Sequence, residues 1–182
     1  MGRPIGAEAA KMGEVDDAMP QITPDPLTTE GWAPYGWLPV PDTDPSDGEG
    51  RLVFAWDDAH VNIISHRRDE VPELSHGLRC EMVFRHATHT QVLMSLDAAA
   101  VIVVAPPESD PARTATSTGL RAFLLPALSP VVLHPGTWHW GPYPVTAEEV
   151  RLFNVQGWRY REDNQRVDLA AAGAAVEVRL DR

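Results

Sequence analysis

Lysine and cysteine are almost absent from this sequence of 182 residues. The single cysteine, Cys80, cannot form a disulfide within the chain and fits a reducing compartment. We interpret it as a small buried side chain rather than a nucleophile. The single lysine, Lys11, lies in a polar, acidic stretch, so Schiff-base catalysis has no candidate in the folded part. The other fourteen basic residues are arginines, whose planar guanidinium groups suit a small carboxylate ligand.

Long apolar runs and basic clusters are missing as well. No segment reaches about 18 consecutive apolar residues, and the N-terminus has no apolar run of signal-peptide length. We therefore expect a cytoplasmic protein without a membrane partner. No stripe of arginine and lysine is interleaved with aromatic residues, so nucleic acid is not an expected partner either.

The net charge of −11 is concentrated at the start of the chain. Residues 1–50 contain ten acidic residues against Arg3 and Lys11, a balance of −8, which leaves −3 for residues 51–182. We predict a flexible acidic tail over residues 1–22 and a single domain over residues 23–182, since 43% hydrophobic content is enough for one core.

Short β-strands dominate what remains. Seventeen prolines and thirteen glycines separate short runs of β-branched and aliphatic residues, which predicts an all-β barrel or double-sheet roll. Residues 100–105 are apolar on both faces, as in a strand buried between two layers. One short helical turn is expected over residues 168–175. The nine predicted strands are Arg51–Trp56, His60–His66, Arg79–His86, Thr90–Leu96, Ala100–Val104, Gly119–Leu125, Pro130–His134, Val150–Gln156 and Ala175–Leu180.

Side-chain alternation along residues 79–86 gives the first indication of a site. His86 shares its strand face with Phe84, whereas Arg85 lies on the other face. If the hairpin tip is near Thr88, the next strand brings Gln91 opposite His86. We expect His89 to lie in the hairpin loop without a role in the site.

Two sequence clusters together resemble the two motifs of a cupin. The first is Arg85-His86-Ala-Thr-His89-Thr-Gln91, and the second is His134-Pro135-Gly136-Thr-Trp138-His139. The cupin pattern has two histidines separated by one residue, then a glutamate, and later a histidine after a Pro-Gly turn. The corresponding residues here are Phe84, His86, Gln91 and His139.

Within the cupins, the chain resembles the ureidoglycolate lyase family over about residues 32–168. The order and spacing of several short stretches carry the resemblance: Tyr35-Gly36, Ile63 to Arg68, Arg85-His86 followed by Thr90-Gln91, Leu120 to Phe123, Gly136-x-Trp138-His139, and Phe153 to Gln156. The chain departs from the family pattern in places. Phe84 replaces a glutamate, Gln156 replaces an aspartate, Leu128-Ser129-Pro130 replaces a Gln-Gly step, and Trp140 replaces the second of two histidines.

The resemblance implies a cupin-type fold and a homodimer that cleaves ureidoglycolate, or a related α-hydroxy acid, to glyoxylate and urea in allantoin degradation. It implies His139 as general base, His86 as its partner and Gln91 as a neutral orienting group. Arg68 and Arg85 are candidates for the substrate carboxylate, with Phe84 beside them. A divalent transition metal, if one binds, would be held by His86, Gln91 and His139.

Two alternatives to the lyase remain open. One is a cupin with another small-molecule reaction, such as that of an isomerase or a metal-dependent hydrolase. The other is a non-catalytic cupin that binds a small molecule. The two lost acidic positions, Phe84 and Gln156, favour these alternatives, whereas the retained histidine, glutamine and arginine residues favour the lyase.

Overall fold

The structure is a computed structural model that describes residues 19–41, 50–55, 58–113 and 119–180. The predicted tail lies outside these ranges up to residue 18, and its last two residues, Gln21 and Ile22, form a strand. None of the helices among the described residues is long and apolar enough to cross a membrane.

Strands are the main regular structure of the described residues, which confirms the all-β prediction. Helices within the described ranges are α1 (Thr29–Trp32), α2 (Tyr160–Asp163) and a 3₁₀ turn at Arg68–Glu70. The strands in chain order are β1 (Gln21–Ile22), β2 (Asp25–Pro26), β3 (Gly36–Trp37), β4 (Ala59–Arg67), β5 (Glu73–Leu74), β6 (Gly77–Cys80), β7 (Met82–His86), β8 (Gln91–Ser95), β9 (Ala100–Ala105), β10 (Arg121–Leu125), β11 (Pro130–Leu133), β12 (Trp138–Pro144), β13 (Glu149–Gly157), β14 (Asn164–Asp168) and β15 (Val176–Arg179).

Three sheets form the layers of the fold. The largest has the strand order β14-β7-β12-β9-β10-β2, and a five-stranded sheet has the order β3-β11-β8-β13-β4. A four-stranded sheet has the order β1-β15-β6-β5. Nearly all pairs are antiparallel; β1 with β15 and β2 with β10 are parallel.

The six-stranded sheet is the central layer, because one core cluster lies on each of its faces. On one face, side chains of β9, β10 and β12 pack against Leu78 and Val178 of the four-stranded sheet. On the other face, Ile102 and Phe123 pack against Leu93 and neighbours from the five-stranded sheet. Every residue of β9 is buried, which confirms the prediction of a strand enclosed by two layers.

Several predicted elements differ in the structure. The predicted strand over residues 79–86 is interrupted at Glu81, and its halves join different sheets. Of residues 51–55, only Phe54 makes an isolated bridge, to His89. The expected helical turn at 168–175 is a series of turns without a helix.

Strand β12 was missed because it contains a Gly-Pro pair, Gly141-Pro142, which usually marks a turn. Here the pair forms an irregularity within a continuous strand, where the register with β9 shifts between Trp140 and Tyr143. Gly141 has φ +85°, and an added Cβ would lie 2.8 Å from the backbone nitrogen of Tyr143. The position therefore requires glycine.

Candidate active site

A cavity of about 310 Å³ lies between the five-stranded and six-stranded sheets. None of the described residues that line it is an acid, an arginine or a lysine. From the five-stranded side the lining includes Asn62, Ile64, His66, Gln91, Asn154 and Gln156. From the six-stranded side and α2 it includes Phe84, His86, His139, Tyr143, Tyr160 and Asn164.

The three residues expected at the mouth of the pocket, His86, Gln91 and His139, do come together in this cavity. His139 on β12 is paired with Phe84 on β7, and the rings of His139 and His86 are 5.8 Å apart. Gln91 reaches the site differently from the expectation. Strands β7 and β8 belong to different sheets, so Gln91 faces His86 across the cavity and is not its cross-strand neighbour.

The Pro-Gly turn of the second cluster links the two motifs directly. Gly136 has φ +83°, a conformation that favours glycine. Its backbone N–H donates a 2.6 Å hydrogen bond to the carbonyl of His86. The turn therefore fixes the start of β12, and with it His139, against the end of β7.

Neither predicted arginine lines the cavity. Strand β4 ends at Arg67, and the 3₁₀ turn carries Arg68 to a separate surface pocket, where it pairs with Glu73. Arg85 points away from His86, as simple alternation predicts. Its guanidinium lies 4.3 Å from the ring centre of Trp138. The carboxylate-binding expectation for both arginines is therefore not supported by their positions.

His139 and His66 are fixed in the same manner. Nδ1 of His139 lies 3.2 Å from the carbonyl oxygen of Thr137, and Nδ1 of His66 lies 3.0 Å from that of Pro142. Because a carbonyl oxygen only accepts, Nδ1 carries the hydrogen in each ring, which leaves Nε2 as the basic nitrogen of the neutral imidazole.

Burial keeps these imidazoles neutral. It lowers the pKa of His139 to about 4, although the hydrogen bond to Thr137 opposes this effect. Burial also lowers the pKa of His66, against the opposing charge of Glu70. Both rings are therefore available as proton acceptors at neutral pH. Tyr143 lies beside His66, with ring centres 4.9 Å apart, and burial raises its pKa to about 12.

A row of side-chain amides orients Gln91. Nε2 of Gln91 donates to Oδ1 of Asn154 at 2.8 Å, and Nδ2 of Asn154 donates to Oδ1 of Asn62 at 2.8 Å. Oε1 of Gln91 is buried and has no hydrogen-bond partner in the described part of the chain. Because the Nε2 group is already engaged, the free Oε1 is an acceptor for a donor group on a bound molecule.

His89 is part of the site, contrary to the expectation from sequence. It lies in the β7–β8 connection as predicted, but its side chain is buried and stacks on His86 with ring centres 4.5 Å apart. Its Nδ1 lies 3.1 Å from Oδ2 of Asp163, at the end of α2. Oδ2 also accepts hydrogen bonds from the backbone N–H and the hydroxyl of Thr88, both at 2.9 Å.

The buried cluster His86, His89 and Asp163 could hold a metal ion, since one possible ligand atom from each residue lies within 4.8 Å of the others. The metal set expected from the cupin pattern fits less well. Phe84 contributes no ligand atom, Gln91 contributes a neutral amide oxygen, and no carboxylate is present. Catalytic metal sites usually have three good protein ligands, and that set has two.

Some lining residues were not predicted, although the sequence contains a signal for two of them. Asn62 and His66 alternate with exposed residues along β4, so a strand analysis that followed polar residues could have found them. The lining residue Tyr160 belongs to a single helical turn with no periodic pattern, as does Asp163, which contacts His89 behind the cavity. Their place in the site depends on the packing of α2 beside β7.

Comparison with known protein families identifies the family to which this site belongs. A family model described as ureidoglycolate lyase matches residues 49–177. The chain belongs to the ureidoglycolate lyase family. This confirms the resemblance derived from the sequence, and it supports an enzyme that processes ureidoglycolate. No curated protein matches the chain closely enough to be reported as a relative.

The matched range contains most of the cavity-forming strands of this ureidoglycolate lyase family member. It begins before β4 and ends within β15, so it includes His66, His86, His139 and the α2 residue Asp163. Phe84 and the stacked pair His86 and His89 lie inside the matched range. They therefore belong to the family domain and not to an added segment.

Proposed function

We propose that this protein is a carbon–nitrogen lyase that cleaves ureidoglycolate to glyoxylate and urea, as part of allantoin degradation. The observation that carries the proposal is His139: a buried, neutral imidazole fixed by its Nδ1, in the central cavity of a ureidoglycolate lyase family domain. Such a residue is a general base that works without a metal.

The reaction needs one proton moved from the carbinol oxygen to the leaving nitrogen. In the proposed mechanism, Nε2 of His139 takes the hydroxyl proton while the C–N bond breaks and the aldehyde C=O forms. Tyr143, a protonated phenol beside His66, donates a proton to the nitrogen that leaves as urea. The proton held on Nε2 of His139 then passes to the Tyr143 phenolate through Nε2 of the adjacent His66, which accepts one proton and releases one, so all three residues return to their starting state.

The other lining residues position the substrate. Oε1 of Gln91 accepts a hydrogen bond from a ureido N–H, because it is a fixed acceptor without a partner of its own. Burial is the main cause that lowers the pKa of His86 to about 3, so this ring is a neutral wall beside His139. Phe84 supplies an apolar wall. The hydroxyl of Tyr160 and the amide of Asn164 are donors in the described lining that could bind the carboxylate.

Glyoxylate release from ureidoglycolate tests the proposal. The full chain is incubated with ureidoglycolate, with and without a chelator, and glyoxylate is followed over time. We expect turnover in both conditions and a loss of about 100-fold or more in His139→Ala, the usual range for removing a general base. His76→Ala is the matched control, since this exposed histidine lies in the pocket of Arg68. An absence of turnover in both conditions would refute the lyase proposal.

A second candidate is a cupin that acts on, or only binds, a neutral small molecule. The observation in its favour is the uncharged lining, because a carboxylate normally pairs with a cation. Calorimetric titration with ureidoglycolate and with an uncharged urea of similar size separates the candidates. Tighter binding of the uncharged compound, without glyoxylate release, favours the second candidate.

The oligomeric state and the cellular location are two further parts of the proposal. We propose a homodimer whose contact includes the outer face of edge strand β4, where Val61 and Ile63 are more than half exposed. Light scattering combined with size-exclusion chromatography measures the mass directly. We further propose a cytoplasmic location, supported by the single thiol of Cys80, which is buried and unpaired.

A further inference from the structure

We propose that His86, His89 and Asp163 form a binding site for one divalent transition-metal ion. The three side chains come from different elements, namely the end of β7, the β7–β8 connection and the end of α2. All three are more than nine-tenths buried. Two imidazoles and one carboxylate are a donor set that divalent zinc, cobalt and related ions accept.

The pair His89 and Asp163 already has the spacing of two ligands on one ion. Their Nδ1 and Oδ2 atoms are 3.1 Å apart, and ligand bonds of about 2.0–2.1 Å place two ligand atoms about 3.3 Å apart in a tetrahedral site. The ion would replace the Nδ1 hydrogen that lies between them. Two hydrogen bonds from Thr88 orient the carboxylate, as outer partners commonly do at metal sites.

His86 supplies the third donor group. Its Nδ1 is buried without a hydrogen-bond partner among the described residues, and buried polar atoms are rarely left in that condition. A possible ligand atom of each residue in the cluster lies within 4.8 Å of the others. The His86 ring, which is stacked on His89 with ring centres 4.5 Å apart, would have to turn out of the stack to direct its lone pair at the ion. Contraction by about 1.5 Å would bring all three to bonding positions.

The cluster adjoins the cavity, so a bound ion would change the charge beside the cavity lining. His86 lines the cavity, whereas His89 and Asp163 lie behind it. An ion held there would add positive charge beside a lining whose described residues include no acid, arginine or lysine. This consequence for substrate binding rests on the proposed function; the metal site does not.

Metal binding by the full chain, without an affinity tag and after treatment with a chelator, tests the site. Co²⁺ is titrated while its visible absorption is recorded, and Zn²⁺ binding is measured by calorimetry. We expect one ion per chain, with affinity reduced more than about 100-fold in His89→Ala and in Asp163→Asn, because even the loss of an outer partner costs about 10–100-fold. His139→Ala and Gln91→Ala are the matched controls, since they alter the same cavity and leave the cluster intact.

Two results would overturn the proposal. One is the absence of specific binding by the wild-type chain at micromolar ion. The other is loss of binding in His139→Ala with binding retained in His89→Ala, which would assign the ion to the cupin positions. Circular dichroism checks the fold of each variant; if His89→Ala does not fold, His89→Gln and Asp163→Asn decide the outcome. The ion titration does not depend on turnover, so its result is separate from that of the glyoxylate assay. A protein that binds the ion but does not cleave ureidoglycolate would support this site and refute the proposed function.

Discussion

Replacing His139 by glutamine should make the protein less sensitive to acid. In the folded protein, burial lowers the pKa of His139 to about 4, while the unfolded chain has the ordinary value of about 6.5. Between these values the unfolded chain binds a proton that the folded ring does not bind. The contribution of His139 to stability is therefore complete above about pH 6.5 and is lost as the pH falls toward 4.

The size of the effect follows from the two pKa values. At about pH 5.5 the proton bound by the unfolded chain lowers the free energy of unfolding by about 1.4 kcal/mol, and at about pH 7.5 by less than about 0.1 kcal/mol. Burial lowers the pKa of His86 to about 3. His86 therefore contributes similarly to the pH dependence of stability in wild type and in His139→Gln. The difference between wild type and His139→Gln isolates the effect of His139.

Urea unfolding at the two pH values is the assay. Between about pH 7.5 and 5.5, wild type should lose about 1.3 kcal/mol more than His139→Gln. His76 is exposed, and His76→Gln is the control: it should lose as much free energy of unfolding between the two pH values as wild type does. If His139→Gln and wild type lose the same free energy, His139 is not held neutral by burial, and its assignment as a ready base fails with it.

Three further outcomes test the described contacts. Gln91→Leu should lower the free energy of unfolding by about 1–3 kcal/mol, measured in urea, because its amide partner on β13 loses a buried donor; equal stability would argue against the amide row. Arg68→Ala and Arg85→Ala should each leave kcat/KM for ureidoglycolate within about twofold of wild type, since neither lines the cavity, and a large rise in KM for either would restore its predicted role. Gly157→Ala should lower the melting temperature at a cost of about 1–3 kcal/mol, because its Cβ would lie 2.9 Å from Nδ1 of His89; an unchanged melt would show that His89 is not packed there.

Alternation and turn residues explain most of what could be predicted. The burial of β9 on both faces and the outward direction of Arg85 follow from local pattern, because the side chains of a strand point to opposite faces in turn. The Pro-Gly turn before His139 likewise has a local cause, the positive φ of Gly136. Arg68 was expected in the site because of the family resemblance, and the sequence does not show that the turn after β4, which ends at Arg67, carries it to another pocket.

By itself, the sequence determined the all-β fold class, the family, and the placement of His86, Gln91 and His139 around one cavity. Strand periodicity and motif spacing are local properties of the sequence, so these features could be predicted from it. Only the tertiary structure decided which sheets face each other across that cavity. That arrangement brings His66 of β4 and Asp163 of α2 to histidines distant in sequence. Such contacts depend on sheet order and layer packing, which no local pattern encodes.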